Sequence, residues 1–158
     1  MKLAVKNILD SEITQFFLSD PKLALLGLSD EELAVLHKTG QYLNTTNSIL
    51  FGVFEDDRLI TIVKYELFTT HAINFHMYIK SEYHHTDKIR PISEFIRKTV
   101  KKTGMLKAIL TVPSPCEHIH KFVKKFGFKE EGRITNCYQW REQVVDLVLY
   151  GLNLQEGN

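Results

Sequence analysis

The stretch His120-Lys-Phe-Val-Lys-Lys-Phe-Gly-Phe-Lys-Glu-Glu-Gly-Arg133 changes its hydrophobic periodicity at its middle. Before residue 127, apolar residues recur every three or four positions, which is typical of a helix with one buried face. Gly127 can adopt the left-handed conformation that ends many helices, and the run from Phe128 is typical of a strand. The stretch therefore predicts a helix that passes directly into a strand. The expected core face of the helix consists of Ile119, Phe122, Val123 and Phe126.

The start of this helix carries its own signals. Ser114 can cap the helix, Pro115 suits its first position, and Glu117 stands where it completes a capping box. We therefore expect the helix to begin at Pro115.

The segments on either side alternate between strand and helix periods. An apolar run that ends at Pro113 indicates a buried strand, because proline cannot donate to a sheet ladder. Apolar residues at helical spacing ahead of it indicate an amphipathic helix. Two strands after residue 127 enclose a turn around Arg141–Gln143 and form a hairpin. The expected bounds are Ile89 to Gly104 for the helix, and Leu106–Val112, Phe128–Tyr138 and Val144–Asn153 for the strands.

The first half of the chain predicts two helices and then three strands. Ser29 and Glu32 have the spacing of a capping box at the start of the second helix. Asp56 and Asp57 are turn residues between two strand-like runs, so a hairpin is expected there. The expected helices are Ser11–Leu18 and Glu31–Tyr42, the latter with Leu33, Leu36 and Leu43 on its apolar side, and the strands are Ile49–Glu55, Leu59–Leu67 and Ala72–Ile79.

The order of these elements predicts a mixed sheet with helices on its faces rather than a uniform alternation of strand and helix. A chain of 158 residues is expected to form one compact domain over residues 1–158. With 44% hydrophobic and 25% charged residues, it has the composition of a folded, soluble protein.

Charge and sequence signals bound the partners and the compartment. The formal net charge of +1 gives no global attraction to nucleic acid or to an anionic membrane. No run approaches the roughly 18 apolar residues of a membrane span, and Met1–Asp10 lacks an apolar targeting region, so we expect a cytoplasmic protein. Cys116 and Cys137 are expected to be reduced thiols, and their number and spacing predict no metal site.

The stretch from His120 to Arg133 resembles the segment of GNAT acetyltransferases in which a helix ends in Gly-Phe and runs into a strand with Glu-Gly. Val145-Asp-Leu-Val-Leu-Tyr-Gly-Leu152 is similar to the closing strand of many members, and Phe51-Gly-Val-Phe-Glu-Asp-Asp-Arg-Leu-Ile60 is similar to their first hairpin. The resemblance implies an α/β (α+β) fold, with a mixed, mostly antiparallel sheet of six to seven strands and helices on both faces. Asn74-Phe-His-Met-Tyr-Ile79 and Thr111-Val-Pro-Ser114 also resemble a GNAT-like group encoded by bacteriophages, which implies the host cytoplasm or the virion as location.

In GNAT enzymes the central strand is followed by a loop of pattern Gln/Arg-x-x-Gly-x-Gly/Ala. Its backbone amides and the start of the next helix bind the pyrophosphate of acetyl-CoA. The resemblance therefore implies acetyl-CoA as cofactor. Alignment of Ile79-Lys-Ser81 with the family's Val-x-Pro implies cofactor contacts at Met77, Tyr78 and Ile79 in the strand, and at His84, His85, Thr86, Asp87, Lys88 and Ile89 in the loop.

The loop departs from the family pattern at three positions. His84 stands at the Gln/Arg position, Asp87 at the first glycine and Ile89 at the second. Glycine permits positive φ and a close approach of backbone to phosphate, whereas Asp87 adds a Cβ and a negative charge. Pro91 suits a first helical position better than an interior one, so the helix is expected to start later than in the family. The implied pyrophosphate site is degenerate.

The second cofactor region departs from the family as well. The asparagine that members often use near the cofactor is replaced by Cys116, which remains the implied contact on this helix. The frequent tyrosine acid is replaced by Val123, which has no proton to give to a departing thiolate. A nucleophilic Cys116 at the helix start is an alternative without an identified base.

An acetyltransferase needs a base that takes a proton from the amine. His76, Glu66 and His71 lie on or near the strands that bound the family's substrate cleft, and we expect His76 to be the base. The alternative is that His76 is a hydrogen-bonded strand residue. The pairs His84 with His85 and His118 with His120 lack the three or four ligands that a zinc site requires.

Two surface features leave alternatives open. Tyr138 and Trp140, near the last hairpin turn, could anchor self-association or a protein partner. A set of lysines could bind nucleic acid or the phosphates of coenzyme A, although amphipathic helices usually carry lysines to face water. These lysines are Lys98, Lys101, Lys102, Lys107, Lys121, Lys124 and Lys125.

Two functions of different classes follow from the sequence. The first is an N-acetyltransferase that transfers acetyl from acetyl-CoA to an amine of a protein or small molecule. The second is a catalytically inactive GNAT-fold binding or assembly protein, for example a phage structural or head-assembly component. The segment from Ser81 to Pro91 discriminates them, because only the first function needs several backbone amides there.

Overall fold

A computed structural model describes residues 1–44 and 47–155 of the chain. It contains seven strands and five α-helices within these residues. In chain order they are β1 (Leu3–Lys6), α1 (Asp10–Leu18), α2 (Pro21–Gly27), α3 (Asp30–Thr39), β2 (Ile49–Glu55), β3 (Arg58–Leu67), β4 (Ala72–Ile79), α4 (Ile89–Lys101), β5 (Lys107–Pro113), α5 (Glu117–Phe126), β6 (Lys129–Trp140) and β7 (Gln143–Asn153).

The strands form one seven-stranded sheet in the order β1-β2-β3-β4-β5-β7-β6. Strands β1, β2 and β3 pair antiparallel in sequence, and β7 pairs antiparallel with both β5 and β6. The pairing of β4 with β5 is parallel, and its register joins Ala72–Asn74 to Lys107–Ile109. The expected mixed, mostly antiparallel sheet of six to seven strands is confirmed.

The chain divides into two compact units. The first unit contains residues 1–66 and 76–95, and the second contains residues 67–75 and 96–158. Strand β4 and helix α4 each contribute residues to both units. The expectation of one domain over residues 1–158 stays a prediction.

The core of the first unit lies between α1, α2 and α3 and the strands that they cover. Phe17 is central in it: its ring lies 5.2 Å from the ring of Tyr42 and 5.2 Å from that of Tyr78 on β4. Burial of large aromatic side chains in this way removes much apolar area from water. The other buried residues of this cluster are Ile13, Phe16, Leu23, Ala24, Leu28, Leu33, Leu36 and Ile62.

The core of the second unit is built around aromatic residues of β4, α5 and the chain that follows α5. Phe75 stacks at 6.0 Å on Phe128 and lies 6.2 Å from Phe126. Gly127, between these two rings, has a φ of +116° and caps α5, as the sequence predicts. Helix α5 therefore passes into the β6 segment through a residue that only glycine suits.

Two elements were not expected from the sequence. Strand β1 is only four residues long, and it pairs with β2 at Leu3↔Glu55 to Lys6↔Gly52, far away along the chain. Helix α2 has seven residues, but its start carries a recognisable signal. Asp20 accepts a hydrogen bond from the amide of Leu23, and Pro21 occupies the first helical position.

The bounds of two expected helices need correction. Helix α3 ends at Thr39 because Gly40 adopts the left-handed conformation, so Leu43 lies beyond the helix and is exposed. Helix α5 begins at Glu117, and Cys116 rather than Ser114 is its N-cap residue. Of the face expected for α5, Val123 and Phe126 are buried.

Candidate functional site

The chain that follows β4 is a continuous run of turns, which we call the β4–α4 segment (residues 80–91). A 3-10 turn over Ser81–Tyr83 follows the strand, and further turns lead into α4. Their backbone N–H···O bonds measure 3.0 to 3.2 Å. The donor–acceptor pairs are Tyr83–Lys80, His84–Ser81, Thr86–Tyr83, Ile89–Thr86 and Ile92–Lys88. Because each turn constrains the next, the direction of the chain at Ser81 affects the whole segment.

Asp20, the N-cap residue of α2, anchors the first residue of this segment. Its carboxylate accepts hydrogen bonds from the Ser81 amide at 2.8 Å and from the Ser81 hydroxyl at 2.8 and 2.9 Å. Burial raises the pKa of Asp20, but hydrogen bonds from Ser81 and Leu23 and the charge of Lys80 outweigh it, and the pKa lies below 3.8. Asp20 is therefore ionised at neutral pH.

Glu55, at the end of β2, anchors the middle of the segment. Its carboxylate accepts hydrogen bonds from the Tyr83 hydroxyl at 2.7 Å and from the Lys88 ammonium at 3.1 Å. These bonds hold the pKa of Glu55 below its ordinary value. His84 adds an internal contact, since its Nε2 donates to the carbonyl of Ile79 at 2.7 Å.

Asp87 and Ile89, which stand where the family pattern has glycine, cause no backbone strain in this segment. Among the described residues, positive φ angles occur at positions 40, 56, 57, 104, 127, 136, 141 and 142, and none lies between residues 80 and 91. Asp87 and Ile89 therefore hold conformations that any residue adopts. What Asp87 changes is the charge and the volume of its side chain.

Several amides of the segment remain available as donors. The backbone N–H groups of His85, Asp87, Lys88 and Arg90 have no hydrogen-bond partner within the described residues. They lie just ahead of α4 and in its first turn, where the helix dipole is positive. An anion is the complement of such donors.

The expected start of the helix at Ile89 is confirmed, and Pro91 does not take the first helical position. Helix α4 begins at Ile89, so Pro91 is its third residue. Proline is tolerated there because the first N–H groups of a helix have no intrahelical acceptor in any case.

The strand residues expected at the cofactor differ in exposure. Tyr78 and Ile79 are buried, whereas Met77 is half-buried. The ring of Tyr78 belongs to the core of the first unit, so its side chain is not available to a ligand. In the segment itself, His85, Thr86, Asp87 and Lys88 have exposed side chains.

His76 is the candidate base, and it stands among charged groups of the first unit. Its side chain is exposed to solvent on β4, yet desolvation by the surrounding protein lowers its pKa below 6.5, and the Lys64 ammonium lowers it further. The charges of Glu32 and Glu66 act in the opposite direction.

The other two candidate bases are placed differently. Glu66, half-buried near the end of β3, interacts electrostatically with His76. His71 lies in the second unit, where its Nδ1 is 2.9 Å from the Thr70 hydroxyl. The structure therefore brings Glu66 together with His76, and it holds His71 in a turn before β4.

Lys64 is the buried cation of this charged group. Its ammonium lies 3.6 Å from the Glu32 carboxylate and donates to the hydroxyl of Tyr42 at 3.3 Å. Glu32 also accepts a hydrogen bond from the Ser29 amide at 2.8 Å, in the capping box that the sequence predicts. Burial, and then the charge of Glu32, raise the pKa of Tyr42, so its phenol stays protonated.

The sequence matches a known protein family over most of its length. A family model described as an acetyltransferase (GNAT) domain matches residues 30–149. The chain belongs to the GNAT acetyltransferase family. None of the curated proteins matches it significantly by sequence.

Solved structures share the GNAT fold at low sequence identity. The ribosomal-protein-S5-alanine acetyltransferase from Vibrio fischeri is 17% identical with a TM-score of 0.69, over 99% of this chain and 95% of that chain. The ribosomal-protein-S18-alanine N-acetyltransferase from Escherichia coli is 10% identical with a TM-score of 0.65, over 99% of this chain and 97% of that chain. The protein yncA from Salmonella typhimurium, solved with its cofactor acetyl-CoA, is 11% identical with a TM-score of 0.66, over 98% of this chain and 95% of that chain.

In this GNAT protein Cys116, the residue expected to contact the cofactor from the second region, is the N-cap residue of α5. The side chain of Cys116 makes no capping hydrogen bond. Burial raises the pKa of its thiol, with Arg141 opposing, so the thiol is protonated at neutral pH. A protonated thiol is a poor nucleophile. Val123 is buried and offers no proton.

Two features of the GNAT protein escaped the sequence analysis. Asp20 and Glu55 hold the β4–α4 segment from 61 and 28 residues away along the chain, a separation that leaves no local pattern. The second feature is His120 on α5. Its Nδ1 lies 2.7 Å from the hydroxyl of buried Tyr150, and its Nε2 donates to the carbonyl of Pro113 at 3.1 Å.

The described residues contain neither a metal-binding cluster nor a membrane-spanning helix. No group of three or more His, Cys, Asp or Glu side chains is placed to hold a metal ion. No helix there is long and apolar enough to cross a membrane.

Proposed function

We propose that this GNAT protein transfers the acetyl group of acetyl-CoA to a primary amine. The observation that carries the proposal is the set of unpartnered amides of His85, Asp87, Lys88 and Arg90 at the start of α4. Backbone N–H groups at a helix start donate to phosphate oxygens, and the helix dipole favours negative charge there. The family match and the acetyl-CoA of the yncA structure support the same ligand.

Side chains of the β4–α4 segment both favour and oppose a pyrophosphate. Lys88 is half exposed and pairs with Glu55, so its ammonium can turn to a phosphate while Glu55 keeps the hydrogen bond from Tyr83. The exposed carboxylate of Asp87 repels the same phosphate. We therefore expect binding of acetyl-CoA that is weaker than a glycine-containing loop would give.

Acetyl-CoA supplies a thioester whose C–S bond breaks as the amine nitrogen bonds to the acetyl carbon. His76 accepts the proton that the nitrogen loses, because its lowered pKa keeps the imidazole neutral at pH 7. The proton for the departing thiolate comes from solvent, since Val123 stands at the position of the family's tyrosine acid. Cys116 remains the proposed cofactor contact on α5.

The charges around His76 indicate what kind of amine it would receive. Glu32 and Glu66 outnumber Lys64 near the imidazole, and this excess of negative charge attracts an acceptor that arrives as an ammonium ion. The ammonium loses one proton to solvent before the neutral amine attacks, and His76 accepts the second proton as the N–C bond forms. A protein N-terminus, a lysine side chain and a small polyamine all fit this description. His71 stays a prediction as an alternative base.

Isothermal titration with acetyl-CoA and with coenzyme A tests the cofactor directly. We expect micromolar dissociation constants and an increase in melting temperature, because a ligand at 100 times its dissociation constant stabilises the native state by about 2.7 kcal/mol. Absence of binding at millimolar ligand would contradict the proposal.

A matched pair of variants locates the binding to the β4–α4 segment. Lys88→Gln removes the proposed phosphate contact, and we expect it to weaken coenzyme A binding. Lys38→Gln makes the same charge change at an exposed position in the last turn of α3, and it should bind like the wild type. Equal affinity of both variants would place the phosphates elsewhere.

A second function, binding of a protein partner or a second copy of the chain without catalysis, is favoured by the charge of Asp87 and by Val123. Tyr138 and Trp140 stack at 6.3 Å, and the Arg141 guanidinium lies 3.7 Å from the Trp140 ring, which gives an aromatic contact surface on β6. The matches lend no support to a bacteriophage origin or a role in virion assembly. This function predicts that the wild type sediments as a self-associated species or as a complex, that Trp140→Ala sediments as a monomer, and that neither protein binds coenzyme A.

A further inference from the structure

We propose that Asp20 is a positioning residue for the acetyl-CoA loop, acting through Ser81. The proposal rests on the proposed function, because the loop in question is the β4–α4 segment. In this proposal, the junction of α1 and α2 fixes the direction in which the segment leaves β4.

The contacts between Asp20 and Ser81 are numerous and buried. Asp20 is 8% exposed, and both of its carboxylate oxygens accept hydrogen bonds from Ser81. One of these donors is the backbone N–H, so the contact constrains the peptide plane between Lys80 and Ser81. Hydrogen bonds to an ionised acceptor are about twice as strong as neutral ones.

Lys80 completes the junction from the same strand end. Its ammonium, also 8% exposed as a residue, donates to the carbonyl of Phe16 at 2.8 Å and to the Ser19 hydroxyl at 2.5 Å. It thereby complements the negative C-terminal end of α1, while Asp20 complements the positive N-terminal end of α2. Two opposite charges thus join two helix ends to two consecutive residues of the chain.

Stability alone does not account for these buried charges. Desolvation of an ion costs several kcal/mol, and apolar side chains of similar volume often stabilise a buried site as well or better. What apolar side chains cannot supply is a fixed acceptor for the Ser81 amide. The junction therefore sets a geometry, and that geometry is the start of the β4–α4 segment.

The chain of turns transmits this geometry to the free amides. Each turn from Lys80 to Ile92 is closed by a backbone hydrogen bond, so rotation at Ser81 would redirect the amides at 85, 87 and 88. The other anchor, at Glu55, holds side chains of the segment rather than its backbone. Lys80 pairs with β3 through its own amide, which donates to the carbonyl of Ile60 at 3.0 Å, and Asp20 is the side chain that holds the backbone at the next residue.

The test compares the wild type, Asp20→Asn and the control Glu12→Gln. Asparagine keeps one acceptor oxygen of similar shape but removes the charge and the second acceptor. Glu12 is a half-buried carboxylate that caps α1 by accepting from the Leu9 amide at 2.7 Å, and among the described residues it accepts no hydrogen bond from the segment. Hydrogen exchange of amides 82–90 and titration with coenzyme A are measured well below each melting temperature.

We expect Asp20→Asn to speed exchange of amides 82–90 and to weaken coenzyme A binding about tenfold, a change of roughly 1.4 kcal/mol. Glu12→Gln should leave both unchanged. Wild-type affinity and exchange in folded Asp20→Asn would overturn the proposal. If the wild type itself bound no coenzyme A, the proposed function would fail, and unchanged exchange in Asp20→Asn would still overturn the positioning role.

A rescue experiment separates positioning from stability. Proline at position 81 fixes φ without needing an acceptor, and Lys80 has a ψ of 133°, which is allowed before proline. Ser81 is the first residue of a 3-10 turn, where proline fits. The double variant Asp20→Asn with Ser81→Pro should regain coenzyme A affinity without regaining the wild-type melting temperature. Restored stability with unrestored affinity would contradict the proposal.

Discussion

At the residue scale, the β4–α4 segment separates two effects that a missing glycine can have. Asp87 stands where the family has glycine, and the sequence could not tell whether its cost is conformational or electrostatic. Its φ lies in the ordinary range, because the segment is built from right-handed turns throughout. The remaining cost is the negative charge beside the free amides.

This distinction makes a prediction for Asp87→Asn and Asp87→Gly. Both remove the carboxylate, so both should strengthen coenzyme A binding by about two- to fivefold, from charge effects at a helix start of roughly 0.3–1 kcal/mol. Titration calorimetry of the two variants measures this. Asp10→Asn, in the first turn of α1, is the control for charge. A much larger gain for glycine than for asparagine would show that the backbone conformation also limits binding.

His76 gives a second prediction at this scale. His76→Gln should lower kcat by about 10²–10⁴-fold, the usual contribution of a general base. In the wild type, the acid limb of the rate profile should lie below pH 6.5, because the lowered pKa keeps the base neutral down to that pH. His37→Gln, at an exposed position of α3, is the control. Unchanged kcat in folded His76→Gln would exclude His76 as the base.

At the element scale, two helices with similar sequence signals start in different ways. Helix α3 has the capping box that Ser29 and Glu32 predict. Helix α5 starts two residues later than its Ser-Pro-x-Glu pattern predicts, because the chain makes a turn at Pro113–Cys116 first. Ser114 donates its amide to the carbonyl of Asp146 on β7, so β7 rather than α5 decides its position.

The contrast is tested by Ser29→Ala and Ser114→Ala. Loss of the Ser29 hydroxyl leaves the amide of Glu32 without its acceptor, which should cost about 1 kcal/mol in the free energy of unfolding. Ser114→Ala should change it by less than about 0.5 kcal/mol, as ordinary surface substitutions do. Urea denaturation of both variants measures the difference. Equal losses would mean that Ser114 caps α5 after all.

At the scale of the whole molecule, ionised carboxylates link stability to pH. Asp20 and Glu55 have pKa values in the folded protein below the ordinary 3.8 and 4.5. Their contribution is therefore complete above those ordinary values and is lost as the pH falls through the folded values. His76, with a folded pKa below 6.5, acts in the same direction, because the unfolded chain takes up its proton first.

We expect the free energy of unfolding to fall slightly from pH 6.5 downward and more steeply below about pH 4.5. Urea denaturation between pH 7.5 and the acid limit measures this, with buffers matched in ionic strength. Asp20→Asn should flatten the steep part of the curve, whereas Glu12→Gln should not. A stability independent of pH below 4.5 would contradict the folded-state contacts of both carboxylates.

Elements whose sequence signals are local could be predicted without the structure. The helix that ends at Gly127 and passes into a strand, the hairpin at Asp56–Asp57 and the capping box at Ser29 all depend on neighbours within a few residues. Both turn aspartates have positive φ, as a tight hairpin requires. Together with the resemblance of these same segments to GNAT enzymes, they were sufficient to predict the fold class and the family.

Features that depend on distant residues become visible in the folded chain alone. Strand β1 is too short to be recognised without β2, and the Asp20–Ser81 contact spans 61 positions. The free amides of the β4–α4 segment and the charges around His76 likewise depend on which groups fold against them. The physical reason is that periodicity and caps arise from local backbone geometry, whereas hydrogen-bond partners and electrostatic neighbours are chosen by packing between remote segments.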